Sequence, residues 1–374
     1  MRKTGLKLMA AVLAVTMVVG LGTGCGAKTS GSDSAAGGGK DAKSSGELEK
    51  VQLSVLTVPN GLPIYVAEQE GMFEEAGLDP ELLVYTSAPP AMEALATDAW
   101  MVGSSGIIPS LTGMLKLNLH VVAAGIPDGQ IVDIFVREDS PIAKSGKGHV
   151  EQYPELYGTA EDWKGITVLG PLSSMGHWAL EKTLNAYGMS GKDVDIVNMQ
   201  ISAANTAFKA GQGDALIQWQ PLSFDAERNG WIRASVCSEV GGDAVSVLYA
   251  SDKAVKEKPE TVQKIVEVYF KAAAWIGENP EKSVEYFYNL CNDNGVTVSM
   301  EDCQKSVEFV PFLTVKESQE YMKKEADGSS RISAMYKDIM EFLVAQGIYT
   351  QQDLDSIINS ELFENKFIDG VPAE

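Results

Sequence analysis

Short β-branched and apolar runs alternate along this chain with stretches whose apolar residues recur every three or four positions. The first such series runs as a strand at 51–57, an amphipathic helix at 64–76, a strand at 82–85 and a short helix at 91–96. It continues with a strand at 100–102, a helix at 107–115, and strands at 119–124 and 131–136. Strands that alternate with helices imply βαβ units and a mostly parallel sheet. A segment at 140–157, punctuated by Gly, Lys and Pro, reads as a surface excursion. The alternation then restarts, with strands at 165–169, 194–198, 215–217 and 231–236 and helices at 174–187 and 203–210.

A strand at 245–249 is placed to return the chain to its first unit, and the remainder is helical. Val262, Ile265, Val266, Tyr269, Ala273 and Ile276 have the spacing of one buried helical face. Pro280 starts the next helix, since proline suits a first turn, and 333–346 is a further amphipathic helix. The expectation is an α/β fold of two lobes joined by two crossings, near 136 and 244. Residues 51–136 and 245–374 form the first lobe and 137–244 the second. Each lobe has a mixed sheet flanked by helices, and a helical segment closes the chain.

The N-terminus changes the picture of location. Arg2, Lys3 and Lys7 precede an apolar run over 8–22 that ends in small residues, the pattern of a secretory signal over 1–24. The run is short of the roughly 20 residues a spanning helix needs. It stops at Gly22-Thr23-Gly24-Cys25, which resembles a bacterial lipobox with Gly22 where an aliphatic residue is usual. Lipid on Cys25 would hold the mature chain at the membrane surface, whereas ordinary cleavage would leave no anchor. Residues 25–50, rich in Gly, Ser, Ala and Lys, read as a flexible tether. Formal net charge is −21, and without the three cations of the leader it becomes −24 (−21 − 3). Such a surface excludes nucleic acid as a partner and argues against electrostatic membrane binding.

No metal-ligand spacing is found, and no cofactor motif: Gly37-Gly38-Gly39-Lys40 lacks the preceding strand and the Ser/Thr of a phosphate loop. Cys291 and Cys303 flank a turn-like stretch and either pair or stay as two buried thiols. Cys237 packs as a small hydrophobe. No G-x-S-x-G elbow or carboxylate pair marks an enzyme.

Three stretches could carry binding. Gly170 to His177 follows a strand and opens a helix, whose free N–H groups and dipole attract anions, with Ser173, Ser174 and His177 as added donors. A plain N-cap explains the serines equally well. Val102 to Gly106, with Ser104 and Ser105, is a matching strand-to-helix turn in the first lobe. Gly213 to Pro221 brings Trp219 and Gln220 to the end of a strand, where an indole offers a flat apolar wall. His120 and His149 read as structural and solvated, respectively.

Ala67, Gly71, Phe73, Gly77 and Leu78, the helix at 91–96, the glycine turn at 102–106 and Asp214-Ala215 followed by Trp219 and Pro221 together resemble one family. It is the sulfonate, nitrate, taurine and thiamine-precursor group of ABC-transporter substrate-binding proteins. The resemblance spans roughly 51–350. It implies a periplasmic-binding-protein-like fold of type II and a monomeric, extracytoplasmic, lipid-anchored receptor. Such a receptor would close on a small ligand and deliver it to a permease and its ATPase. It also implies ligand contacts from Asn60, Leu62 and Tyr65 in the loop after the first strand, from Ser104, Ser105 and Gly106, from Ser173, Ser174, Met175, Gly176 and His177, and from Trp219 and Gln220. Many members carry an acid where Gln220 stands, so a ligand ammonium is less expected here. A sulfonate, nitrate or similar anion is the first expectation, and a neutral heteroaromatic such as a pyrimidine precursor is the second. An enzyme of the same fold makes the thiamine pyrimidine with a cysteine-rich iron motif, and no cysteine cluster occurs in this chain. A purely structural surface protein would need neither donor turn.

Overall fold

The structure, a computed structural model, describes residues 47–372. The leader, Cys25 and all but the last few residues of the tether lie outside the described residues. Ten strands are described: Glu49–Leu56 (β1), Leu78–Tyr85 (β2), Val102–Ser105 (β3), His120–Ala124 (β4), Val132–Val136 (β5), Thr167–Gly170 (β6), Asp195–Asn198 (β7), Ala215–Trp219 (β8), Ile232–Val236 (β9) and Val247–Ala250 (β10). They form two five-stranded sheets, ordered β2-β1-β3-β10-β4 and β7-β6-β8-β5-β9.

The two sheets repeat one plan. In each, four strands run one way, and a strand arriving from the other lobe enters antiparallel to them at the fourth position. β10 lies between β3 and β4, and β5 lies between β8 and β9. β5 therefore belongs to the second sheet, although its sequence reading places it at the end of the first lobe. A buried apolar strand announces its conformation but not its neighbours. Both sheets are accordingly mixed.

Small residues decide where strands touch. The third strand is expected at 100–102 but is observed at Val102–Ser105, over Gly-Ser-Ser. A Cβ on Gly103 would stand 2.8 Å from Ser54 Cβ and 2.9 Å from a Tyr249 ring carbon, so only glycine lets β1 and β10 close on this strand. The helix expected at 64–76 is two helices, Leu62–Gln69 and Met72–Glu75. Gly71 separates them at φ 69°, a left-handed geometry that glycine adopts without steric cost.

The chain crosses between sheets twice, and the two crossings pair. Gly125 N–H donates to Ser246 O at 2.8 Å, Ser246 N–H to Ile126 O at 2.7 Å, and Gly129 N–H to Ala244 O at 3.3 Å. A Cβ on Gly129 would lie 2.4 Å from Gly242 O, so the crossings touch backbone to backbone. After β10 the helices Pro259–Glu278, Pro280–Asn292, Met300–Phe309, Val315–Met322 and Arg331–Ala345 follow. Val262, Ile265, Val266, Tyr269 and Ile276 of the first are buried in the core on the first sheet. Each aliphatic side chain so buried contributes roughly 1.5–3 kcal/mol. The segment around Phe363 pairs with Val121 and covers the β4 edge.

Candidate functional site

The two strand-to-helix turns meet between the lobes. Gly106 is the N-cap of the helix Ile107–Leu117 on the first lobe, and Met175 opens the helix Met175–Asn185 on the second. Met175 Cγ lies 3.7 Å from the point where a Cβ on Gly106 would stand, and Asp128 Oδ2 lies 3.0 Å from it. Three segments thus converge within side-chain reach: the β3 turn, the second-lobe helix start and the first crossing.

On the first-lobe side, Ser104 and Ser105 end β3 and are buried. Ser105 Oγ donates to Gly106 O at 3.2 Å. Ser54 and Ser105 face the Tyr249 hydroxyl and Ser104 faces that of Tyr269, and the hydroxyls of Ser54, Ser104, Tyr249 and Tyr269 are buried without closing a hydrogen bond. Burial pushes both phenols well above their ordinary pKa, so both are neutral donors. Asn60 is buried in a single helical turn, with its carbonyl oxygen unpartnered. Leu62 belongs to the first-lobe core. The Tyr65 ring meets Tyr286 edge-on at 6.2 Å, held by the helix Pro280–Asn292.

On the second-lobe side, the polar groups of the helix start are largely committed to each other. Ser174 Oγ donates to Pro171 O at 2.7 Å and accepts from His177 N–H at 3.2 Å, the geometry of a helix cap. His177 Nδ1 accepts from Ser173 N–H at 3.2 Å, and its ring packs edge-on against Phe342. Burial lowers its pKa to about 4, so near neutral pH it carries no charge for an anion. Ser173 is exposed at φ 54°. A Cβ on Gly176 would lie 2.1 Å from Ile217 Cγ2, so this glycine serves helix-to-sheet contact. Trp219 is half-buried and packs against both the first-lobe core and the main second-lobe core. Gln220 is buried with both amide atoms unpartnered, as is Gln218 on β8.

Asp128 escapes sequence reasoning. Pro127-Asp128-Gly129 has the composition of a surface turn, yet Asp128 is only 5% exposed. Its one visible signal is that it and Asp133 are the acids within the apolar stretch 119–136. Asp133, on β5, is fully buried: Ser223 Oγ donates to its Oδ2 at 2.6 Å, and Arg233 Nε stands 3.5 Å from Oδ1 as a counter-charge without closing a hydrogen bond. Burial pushes Asp133 up to about 6 against the lowering effect of Arg233 and Ser223.

Ion pairs also bridge the lobes. Lys182 Nζ lies 2.6 Å from Asp338, and Arg228 grips the buried Asp302 with two guanidinium nitrogens, Nη2 donating to Oδ2 at 2.9 Å. Asp302 also accepts from Ser299 Oγ at 2.7 Å as part of a capping box. Among the described residues no cluster of His, Cys, Asp and Glu could hold a metal ion, and no helix is long and apolar enough to cross a membrane. Cys237, Cys291 and Cys303 are free and buried, so 291 and 303 do not pair.

Comparison with known proteins adds to this geometry. Residues 155–283 match the NMT1/THI5-like family model. A protein of Brachyspira hyodysenteriae named as an ABC transporter periplasmic binding protein is 29% identical over 328 residues, which is 86% of this chain and 91% of that one. The aliphatic sulphonate-binding protein SsuA of Escherichia coli superposes with a TM-score of 0.68 at 17% identity, over 84% of this chain and 99% of its own. The nitrate-binding protein NrtA of Synechocystis superposes with a TM-score of 0.62 at 13% identity, over 86% and 87%.

Proposed function

We propose that this chain, a protein with an NMT1/THI5-like domain and the two-lobed fold of the periplasmic binding proteins, is an extracytoplasmic receptor that closes on one small ligand and delivers it to an ABC importer. One observation carries the reading. Turns from two separate sheets converge with a crossing segment, and polar atoms of Ser104 on the first-lobe turn and of Gln218 and Gln220 at the end of β8 are buried and unpartnered. Buried polar groups are ordinarily hydrogen-bonded, so a set left open points to a ligand that completes it. Closure follows from the same geometry, because contacts from both lobes exist only when the lobes are together. Periplasmic binding proteins are among the standard cases of hinge closure. The Brachyspira relative, named as a binding protein and matched along most of its length, supports a role without chemistry.

Lipid on Cys25, with 25–50 as tether, would keep the receptor beside its permease and ATPase. Two ligand classes fit the fold. A sulfonate, nitrate or similar anion would rest on the helix N-termini at Gly106 and Met175. A neutral heteroaromatic such as a pyrimidine would stack on Trp219. The second gains from the commitment of Ser174 and His177 to the cap, which leaves fewer free donors for an anion.

Native mass spectrometry of the protein as purified, followed by small-angle scattering with the ligand it carries or with a sulfonate and pyrimidine panel, tests the receptor reading. A bound small molecule and a smaller radius on binding are expected. An unchanged radius at saturation would overturn the closure, and turnover of the ligand would overturn the non-enzymatic role.

A further inference from the structure

Asp128 lies in the helical turn Asp128–Gln130 on the first crossing, where the two donor turns meet. Among the described residues its carboxyl group has no hydrogen bond and no ion pair, while Asp133, five positions on, has Ser223 and Arg233. The fold thus gives one buried acid a hydroxyl on Oδ2 and a guanidinium beside Oδ1, and gives the other neither at the junction of the lobes. The groups that feel its charge are Tyr269, Tyr336 and Cys237, all held neutral by burial. No cation answers it. A buried carboxylate without a partner is costly, so its place here needs a reason beyond the turn.

We infer that the ligand of the receptor proposed above carries a nitrogen hydrogen-bond donor, a protonated amine or an amidine-type N–H group, and that Asp128 accepts from it. This rests on the receptor reading and narrows it. Oδ2 points to the place where Gly106 has no side chain, and Met175 closes the same space from the other lobe. A donor nitrogen there forms a charge-assisted hydrogen bond to the carboxylate. A bare anion in that place would be repelled by the ionised carboxylate, which the neutral serines and phenols nearby could not offset, and could rest there only with Asp128 protonated. Burial pushes Asp128 up to about 7. A cationic donor favours the ionised form and brings it down again, so binding on the acid side of neutrality expels a proton.

The test uses methylammonium, acetamidinium and 4-aminopyrimidine as donor probes, and methanesulfonate and nitrate as anion probes. The Asp128 carboxyl carbon is followed by NMR, with calorimetry on the parent and on Asp128→Asn. At least one donor probe should shift the carboxyl resonance and bind Asp128→Asn about tenfold or more weakly. At about pH 6, the charged donors should release protons on binding, seen as a dependence of the heat on buffer ionisation. If no donor probe moves the resonance at millimolar concentration, or if one binds both proteins alike, the inference falls. If the anions bind and shrink the scattering radius while the donors do nothing, the receptor reading stands and this inference alone is overturned. Should Asp128→Asn fold poorly, the NMR titration of the parent decides.

Discussion

Removing the Arg228 guanidinium should weaken ligand binding from a distance. Arg228 ends the helix Leu222–Arg228 of the second lobe, and Asp302 sits in the helix Met300–Phe309 packed with the first. Two N–H groups reach the two carboxylate oxygens, a bidentate pairing stronger than a point contact. Asp302 is nearly buried, whereas the arginine is about 38% exposed. A hydrogen bond to a charged group contributes about 1.5–3 kcal/mol, and solvent screening on the arginine side lowers that to about 1–2 kcal/mol. Because the pair spans the lobes, its loss in Arg228→Ala falls on the closed state. About 1.4 kcal/mol is tenfold in an equilibrium constant, so affinity should drop roughly five- to thirtyfold. Calorimetric titration of the retained ligand measures this, and a double-mutant cycle with Asp302→Asn apportions the pair. Asp302 keeps its capping bonds from Ser299, so Arg228→Ala should fold. A variant that loses thermal stability yet binds as the parent does would refute the reasoning, since the pair would then be structural within one lobe arrangement.

Ser174→Ala removes a cap and should cost about 1 kcal/mol in denaturant unfolding, with ligand affinity changed less than about threefold, because the hydroxyl already serves Pro171 and His177. A large affinity loss would restore the serine as an anion donor. Asp128 and Asp133 are both raised in the folded state, to about 7 and about 6. Their contribution to stability is therefore complete below the unfolded value near 3.8 and is lost as pH rises through the folded values. Asp128→Asn should flatten the decline between about pH 4 and pH 7 and unfold at higher urea than the parent at about pH 8, a comparison made by urea melts across that range. Cys25→Ala should move the protein from the membrane fraction to the medium if the cysteine is lipidated, and retention on cells would point to another tether.

The strands were readable where β-branched residues run together, as at 51–57 and 119–124, because a buried strand needs that composition. Partners were less so. β5 reads clearly as a strand, but its neighbours β8 and β9 lie far along the chain, and nothing local distinguishes one buried sheet from another. β3 was displaced in the reading because Trp100 looks like strand and Gly-Ser-Ser looks like turn. Its conformation comes from being clasped between β1 and β10, where nothing larger fits. The same contrast runs through the site. The turns at 102–106 and 170–177 could be located from strand-to-helix punctuation. The partner of each hydroxyl could not, since Ser174 is spent on its own helix and Tyr269 reaches the β3 turn from a helix more than a hundred residues away in sequence. Asp128 was hidden for the same reason: Pro-Asp-Gly is written as a surface turn, and its burial is made by elements from both lobes.

The backbone contact of Gly129 with Gly242 has a practical consequence. Two crossings that are hydrogen-bonded to each other and in atomic contact leave little slack for independent swaying of the halves. The closure proposed above would then reduce nearly to rotation about one fixed line. A receptor that closed this way would convert occupancy into a single distance. A pair of fluorophores, one on the exposed face of each lobe far from that line, would read the fraction of receptor occupied directly and without a coupled transport assay. Because the swing is greatest farthest from the axis, label placement could be chosen by geometry alone, before the natural ligand is known.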